Sequence, residues 1–161
     1  MKKLYYKKKS KTHGFGLYAS VDIIKNTKII EYVGDKVTKK EGNRRADMQV
    51  LNGSKNKNNG MVYVFKLNRY YDIDGFVKYN TARFINHSCN PNCEVEVIYN
   101  RLWIASINNI KKGDEITYDY GYEYDSDYKD HKCMCGSPNC IGYILDRGSW
   151  NKIKKKNRLI N

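Results

Sequence analysis

No apolar run in this chain approaches the roughly 20 residues that a membrane-spanning helix needs; the longest, Leu102 to Ile107, is strand-sized. The lysine-rich start lacks the apolar stretch of a secretory signal. Cysteines number five, an odd count that does not suit a disulfide framework. These absences lead to the expectation of a soluble, intracellular protein with no membrane contact, whose cysteines serve a metal rather than bridges. Acidic residues are missing from both ends: residues 1–11 carry six lysines, residues 147–161 carry six basic side chains, and neither segment has an acid. Of the 30 basic residues, 18 therefore remain in the body against 17 acids, so the net charge of +13 resides in the ends. Such ends act as solvated arms and can add weak, salt-dependent attraction to nucleic acid. Lysine outnumbers arginine 23 to 7, and Lys, Asn, Ile and Tyr make up 71 of the 161 residues. An AT-rich genome writes that bias without any nucleic-acid contact.

The length suits one domain that buries roughly two-thirds of its unfolded surface. Alternation and β-branched density mark strands at Lys28 to Val33, Met61 to Leu67 and Cys93 to Ile98, with a more buried strand at Leu102 to Ile107. Arg44 to Leu51 is the best helix candidate, followed by a Gly/Asn/Lys loop over 52–60. The pattern is mainly β, with few short helices and no internal repeat. Residues 147–161 read as an appendage.

Chemistry concentrates in a few places. Cys133-x-Cys135-x4-Cys140 offers three thiolates within eight residues, with Gly136 and Pro138 bending the chain between them. A structural zinc site takes four ligands, so one must come from elsewhere: Cys89, Cys93 or the nearby His131. His13-Gly14-Phe15-Gly16-Leu17 is a glycine-rich turn that lets backbone atoms approach a ligand. Tyrosine is abundant, at 15 residues. Between Asp114 and Asp130 seven acids face a single lysine, Lys129.

Three segments read in order, Arg83-Phe-Ile-Asn86-His87-Ser-Cys89-Asn-Pro-Asn-Cys93, Thr117-Tyr118-Asp-Tyr120 and the cysteine triplet, resemble the SET domain of protein lysine methyltransferases with its post-SET zinc tail. The resemblance covers about five-sixths of the chain, roughly residues 11–145. It implies a SET fold of short β-sheets with a knot-like threaded C-terminal segment. It divides the chain into a basic N-terminal arm (1–10), a SET domain (11–122), a post-SET zinc segment (123–145) and a basic tail (146–161). It selects Cys89 to join Cys133, Cys135 and Cys140 on Zn2+, which makes the metal a clasp between the tail and the central motif. It assigns S-adenosyl-L-methionine to His13, Gly14, Phe15, Gly16, Tyr63, Asn86 and His87, with Met134 over the adenine side. Tyr120 matches the catalytic tyrosine, Tyr118 the position that governs how many methyl groups are added, and Tyr63 a residue of the lysine channel with Phe65 beside it. A hydroxyl at 118 implies mono- or dimethylation. Glu123 and Asp125 fall where the substrate peptide enters, so a basic segment such as a histone tail is the implied partner. The place of work would be the nucleus or chromatin in a eukaryote or a host cell, and otherwise the cytoplasm.

The chemistry suits aromatic hydroxyls. Lysine must attack as a neutral amine, although its free pKa is near 10.4. An aromatic channel strips water from the ammonium, and the cofactor's sulfonium is a like charge; both effects lower that pKa. Alignment is the remaining task. Two features depart from the family pattern: Tyr79 stands where many relatives have glycine, and the region over 41–60 is short. A second reading is a non-catalytic SET-like module that docks on chromatin or nucleic acid.

Overall fold

The computed structural model describes residues 3–55 and 61–153. Ten strands form two sheets. In chain order they are β1 (Tyr5–Lys9), β2 (Phe15–Ala19), β3 (Lys28–Tyr32), β4 (Asp35–Thr38), β5 (Val64–Lys66), β6 (Tyr71–Asp74), β7 (Asn86–His87), β8 (Cys93–Ile98), β9 (Arg101–Ser106) and β10 (Glu115–Tyr118). Helix α1 (Lys39–Lys55) lies between β4 and β5. The larger sheet runs β1-β2-β10-β8-β9-β3, with β7 also on β10; the smaller runs β4-β6-β5.

The β8–β9 hairpin is the most regular part, paired from Cys93 with Ser106 to Ile98 with Arg101. Its turn residues Tyr99 and Asn100 have φ of 49° and 57°, the left-handed pair that matches strand twist in a two-residue hairpin. β10 decides the architecture. It runs antiparallel to β2 and parallel to β7 and β8, so it gathers three segments that are distant in sequence. Leu17, Ile104 and Ile116 have no exposed surface and centre the core, and burying each such side chain contributes about 2 kcal/mol.

Helix α1 is held largely by charge. Arg45 pairs with Asp35, Glu41 and the buried Asp74, and Lys39 pairs with the buried Asp72. Gly42 is needed for close approach: a Cβ there would lie 2.4 Å from an Asp72 carboxylate oxygen.

Three expectations change. The N-terminal segment is not a free arm, because Tyr5–Lys9 is the edge strand of the larger sheet, with Lys7, Lys8 and Lys9 exposed. The helix begins five residues before Arg44 and runs on to Lys55, so 52–55 is helix rather than loop, and the remainder of that expected loop, 56–60, lies outside the described residues. The start of the basic tail is packed: Ile153 is only 2% exposed, against Tyr128 and Leu145. Residues 154–161 of that tail lie outside the described residues.

Candidate active site and metal centre

A short helical turn at Thr81–Phe84, capped by Asn80, delivers Asn86 and His87 to the side of β10. There the Asn86 amide nitrogen faces three oxygens, donating to the carbonyls of His13 (3.3 Å) and Phe15 (3.2 Å) and to Glu115 Oε1 (2.7 Å). Glu115 Oε2 accepts from Ser10 and Tyr18, each at 3.0 Å. The Asn86 side chain thus pins the glycine turn. The two glycines of that turn answer to different demands. Gly14 has φ of +50°, whereas a Cβ on Gly16 would sit 2.2 Å from Glu115 Oε1.

The pinned turn borders a hollow of about 370 Å³ lined by His13, Phe15, Tyr63, Phe76, Arg83 and Asn86. A second, smaller hollow of about 60 Å³ shares His13, Met61 and Asn86 with it and adds His87, Tyr120 and Met134. At their edges Phe15 and Met134 remain 52% and 59% exposed, apolar surface that suits a flat bound group. These residues fit S-adenosylmethionine. Tyr79 is 65% exposed and lines neither hollow.

Tyr118, Tyr120 and Tyr122 form a ladder, with ring centroids 4.9 Å and then 5.9 Å apart. Phe65 closes on Tyr118 at 5.7 Å, while Tyr63 turns to Phe76 at 5.2 Å, on the side of the larger hollow. The Tyr120 hydroxyl donates to the Ile85 carbonyl at 2.9 Å, and its N–H donates to His87 Nδ1 at 3.2 Å. Burial among other tyrosines pushes Tyr118 and Tyr120 well above the usual phenol range. They are therefore neutral phenols that orient and exclude water. Burial also draws His87 down to about 4, so the imidazole is neutral and its 3.6 Å approach to Asp119 is no ion pair. Tyr122 was not singled out from sequence; its signal was the alternation 118, 120, 122, which places side chains on one face of an extended chain.

The ligand atoms of Cys89, Cys133, Cys135 and Cys140 all lie within 4.8 Å of one another. Cys89 Sγ is 3.7 Å from both Cys133 Sγ and Cys140 Sγ. A tetrahedron with Zn–S bonds of about 2.3 Å requires sulfurs about 3.8 Å apart, while a disulfide needs about 2.05 Å. The set fits zinc. Burial pushes the Cys89 thiol up to about 12, and a divalent cation is what lets such sulfurs ionise together. His87 Nε2 approaches Cys89 Sγ at 3.5 Å, placing a residue of the smaller hollow against one of the four sulfurs. The other candidates fall away. Cys93 is buried in β8 outside the sulfur group, and the His131 ring packs edge-on against Tyr122 at 4.9 Å.

Along the tyrosine ladder runs a groove of about 590 Å³, bounded by Asp47, Val50, Phe65, Tyr122, Glu123 and Asp125. Tyr120, Tyr122 and His131 line both this groove and the smaller hollow. The acidic run is divided in its roles. Glu123 and Asp125 reach the groove, Asp130 lines the smaller hollow, Glu115 holds the glycine turn and Asp114 closes a turn with the Lys111 N–H.

A SET-domain family profile matches residues 14–121, and the chain belongs to the SET-domain family. It is 37% identical over 139 residues to the human protein named histone-lysine N-methyltransferase 2D, covering 84% of this chain and 2% of that one. It is 38% identical over 141 residues to an Emericella nidulans protein named histone-lysine N-methyltransferase, H3 lysine-4 specific, covering 84% and 11%. The Saccharomyces cerevisiae protein of the same name is 36% identical over 141 residues, covering 84% and 13%. The chain thus spans a small fraction of the length of these relatives. Among the described residues, no helix is long and apolar enough to cross a membrane.

Proposed function

We propose that the chain is an S-adenosylmethionine-dependent protein-lysine N-methyltransferase acting on a basic segment such as a histone tail. The observation that carries this reading is a tyrosine wall whose Tyr120 and Tyr122 line both an acidic-rimmed groove and the smaller hollow, which in turn shares His13, Met61 and Asn86 with the larger one. The names of the relatives agree with it. When bound, S-adenosylmethionine supplies an electrophilic methyl group.

Everything else falls to the chain's own side chains. Glu123 and Asp125 attract the basic segment. Phe65, Tyr118, Tyr120 and Tyr122 desolvate the entering ammonium and so favour the neutral amine. Tyr120, tethered at both its hydroxyl and its N–H, holds the alignment. His13, Gly14, Phe15, Gly16, Tyr63, Asn86, His87 and Met134 hold the cofactor, and zinc on the four cysteines joins the clasp (123–145) to the SET body (11–122). The Tyr118 hydroxyl occupies space that a further methyl group would need, so mono- or dimethylation is the product. The exposed lysines of β1 add salt-dependent attraction to nucleic acid, which fits work on chromatin.

The test incubates zinc-loaded protein with labelled S-adenosylmethionine, core histones and cell extract, alongside Tyr120→Phe. Label on a histone that falls about 100-fold in the variant supports the reading. Label on a non-histone protein alone removes the histone part. No label with cofactor binding intact leaves the binding-module reading. Tyr118→Phe is expected to shift products toward higher methylation states by mass spectrometry.

A further inference from the structure

The clasp leaves the tyrosine wall and returns to it. Its chain departs after Tyr122, and the Asp146 N–H comes back to donate to the Tyr122 carbonyl at 2.9 Å. Residues 123–145 are therefore a loop whose two ends meet at one residue of the wall. Beyond that closure the chain does not leave. The Asp146 carboxylate accepts from the Ser149 N–H at 3.2 Å and fixes a helical turn at Arg147–Ser149. Arg147 donates to the Cys89 carbonyl at 3.3 Å, and Trp150 Nε1 donates to the Leu145 carbonyl at 3.1 Å. Ile153 then buries itself against Leu145 and Tyr128, with Trp150, Tyr124 and Tyr143 around them.

None of these contacts uses a sulfur. They reach main-chain oxygens of Cys89 and Tyr122 and a small apolar core, so none of them requires a sulfur–metal bond. Ile144, the residue before Leu145, lines the smaller cofactor-side hollow, and its N–H donates to the His131 carbonyl at 2.8 Å. Moving this segment would move one wall of that hollow.

We propose that residues 144–153 are a metal-independent strap holding the clasp against the tyrosine wall, with Asp146 and Arg147 as positioning residues for the cofactor cavity. The cavity's ligand rests on the reading of the preceding section; the strap itself does not. Closing the loop at its base lowers the number of open arrangements the clasp can reach. The clasp thus has two fastenings, sulfur to metal and strap to backbone.

Hydrogen exchange on the full chain tests this, with zinc content measured in parallel. After chelation, amides of 144–153 should stay protected while those of 133–142 exchange freely. Simultaneous loss of protection in both would overturn the proposal. In zinc-loaded protein, Ile153→Asp should speed exchange across 122–146 at least about tenfold, with β8 and β9 unchanged and zinc retained. Unchanged exchange, or loss of zinc in step with it, would sink the idea. Arg147→Ala should weaken S-adenosylmethionine binding by about fivefold at full zinc occupancy, with Arg147→Lys recovering part of the loss. Equal affinity in wild type and Arg147→Ala removes the positioning role. A wild type that binds no S-adenosylmethionine would refute the functional reading, while the exchange results would still decide the strap.

Discussion

Around Ile104 and Ile116 a seven-stranded sheet folds over a continuous apolar cluster; around Cys89 and Leu145 four sulfurs and three buried side chains serve in its place. The body's continuous cluster includes Leu17, Leu102, Ile104 and Ile116, the kind of buried apolar surface that drives folding. The clasp has only four clustered sulfurs, a small apolar core and its attachment to the body. Both reading and chemistry meet at the seam between them, since the smaller hollow takes Asn86, His87 and Tyr120 from the body and Cys133, Met134 and Ile144 from the clasp. A robust part and a conditional part together make one site.

Removing the metal should break that pairing most severely. Chelation, or Cys135→Ser, is expected to weaken cofactor binding by more than about 100-fold while the far-UV circular dichroism of the body persists. Collapse of the body signal as well would show that the two regions are one cooperative unit. Next in size, Ile104→Ala should lower the main unfolding transition by about 2–5 kcal/mol in urea titration, whereas Leu145→Ala should leave that transition in place and loosen only the clasp. Glu115→Ala crosses the boundary: it belongs to the body but pins the glycine turn, so a loss of about 2 kcal/mol should come with weaker cofactor binding by calorimetry. The smallest effect is expected at the groove. Reversing Glu123 and Asp125 to lysine should raise the KM for a basic peptide about fivefold at low salt, shrinking as salt is added. A KM that ignores both charge and salt removes these acids from substrate capture.

Sequence reading served the body better than the clasp. Cys93 to Ile98 is a strand with those bounds, Lys28 to Val33 ends one residue early at Tyr32 and Leu102 to Ile107 is displaced by one residue, because alternation and β-branching register directly in a half-buried sheet. Met61 to Leu67 contracts to Val64–Lys66, since the Tyr63 N–H bonds the Gln49 side chain instead of a strand. The edge strand β1 escaped notice because four of its five side chains are exposed and so give no apolar period. Helix α1 was under-read at its start, where Gly42 lowers helix propensity and the stabilising partners, Asp72 and Asp74, lie far along the chain. The four sulfurs were legible through the family motif and the compact Cys133–Cys140 spacing, and they converge in space. The strap was not legible. Leu145, Trp150 and Ile153 are isolated apolar residues spaced too irregularly over 145–153 to show a periodic face, and only tertiary contact reveals which side chains turn inward.

The place of β10 also bears on manufacture. As the chain leaves the ribosome, β2 emerges about a hundred residues before the strand that will flank it, and the glycine turn waits as long for Glu115. The β8–β9 hairpin can form early from local pairing. Completion of the smaller hollow must wait until residue 144 has emerged, because Cys133, Met134 and Ile144 all belong to its wall. A chain halted before residue 130 would hold the asparagine and the tyrosines and still lack the chamber they serve. Partial synthesis products would therefore carry the body's residues without a finished cavity around them.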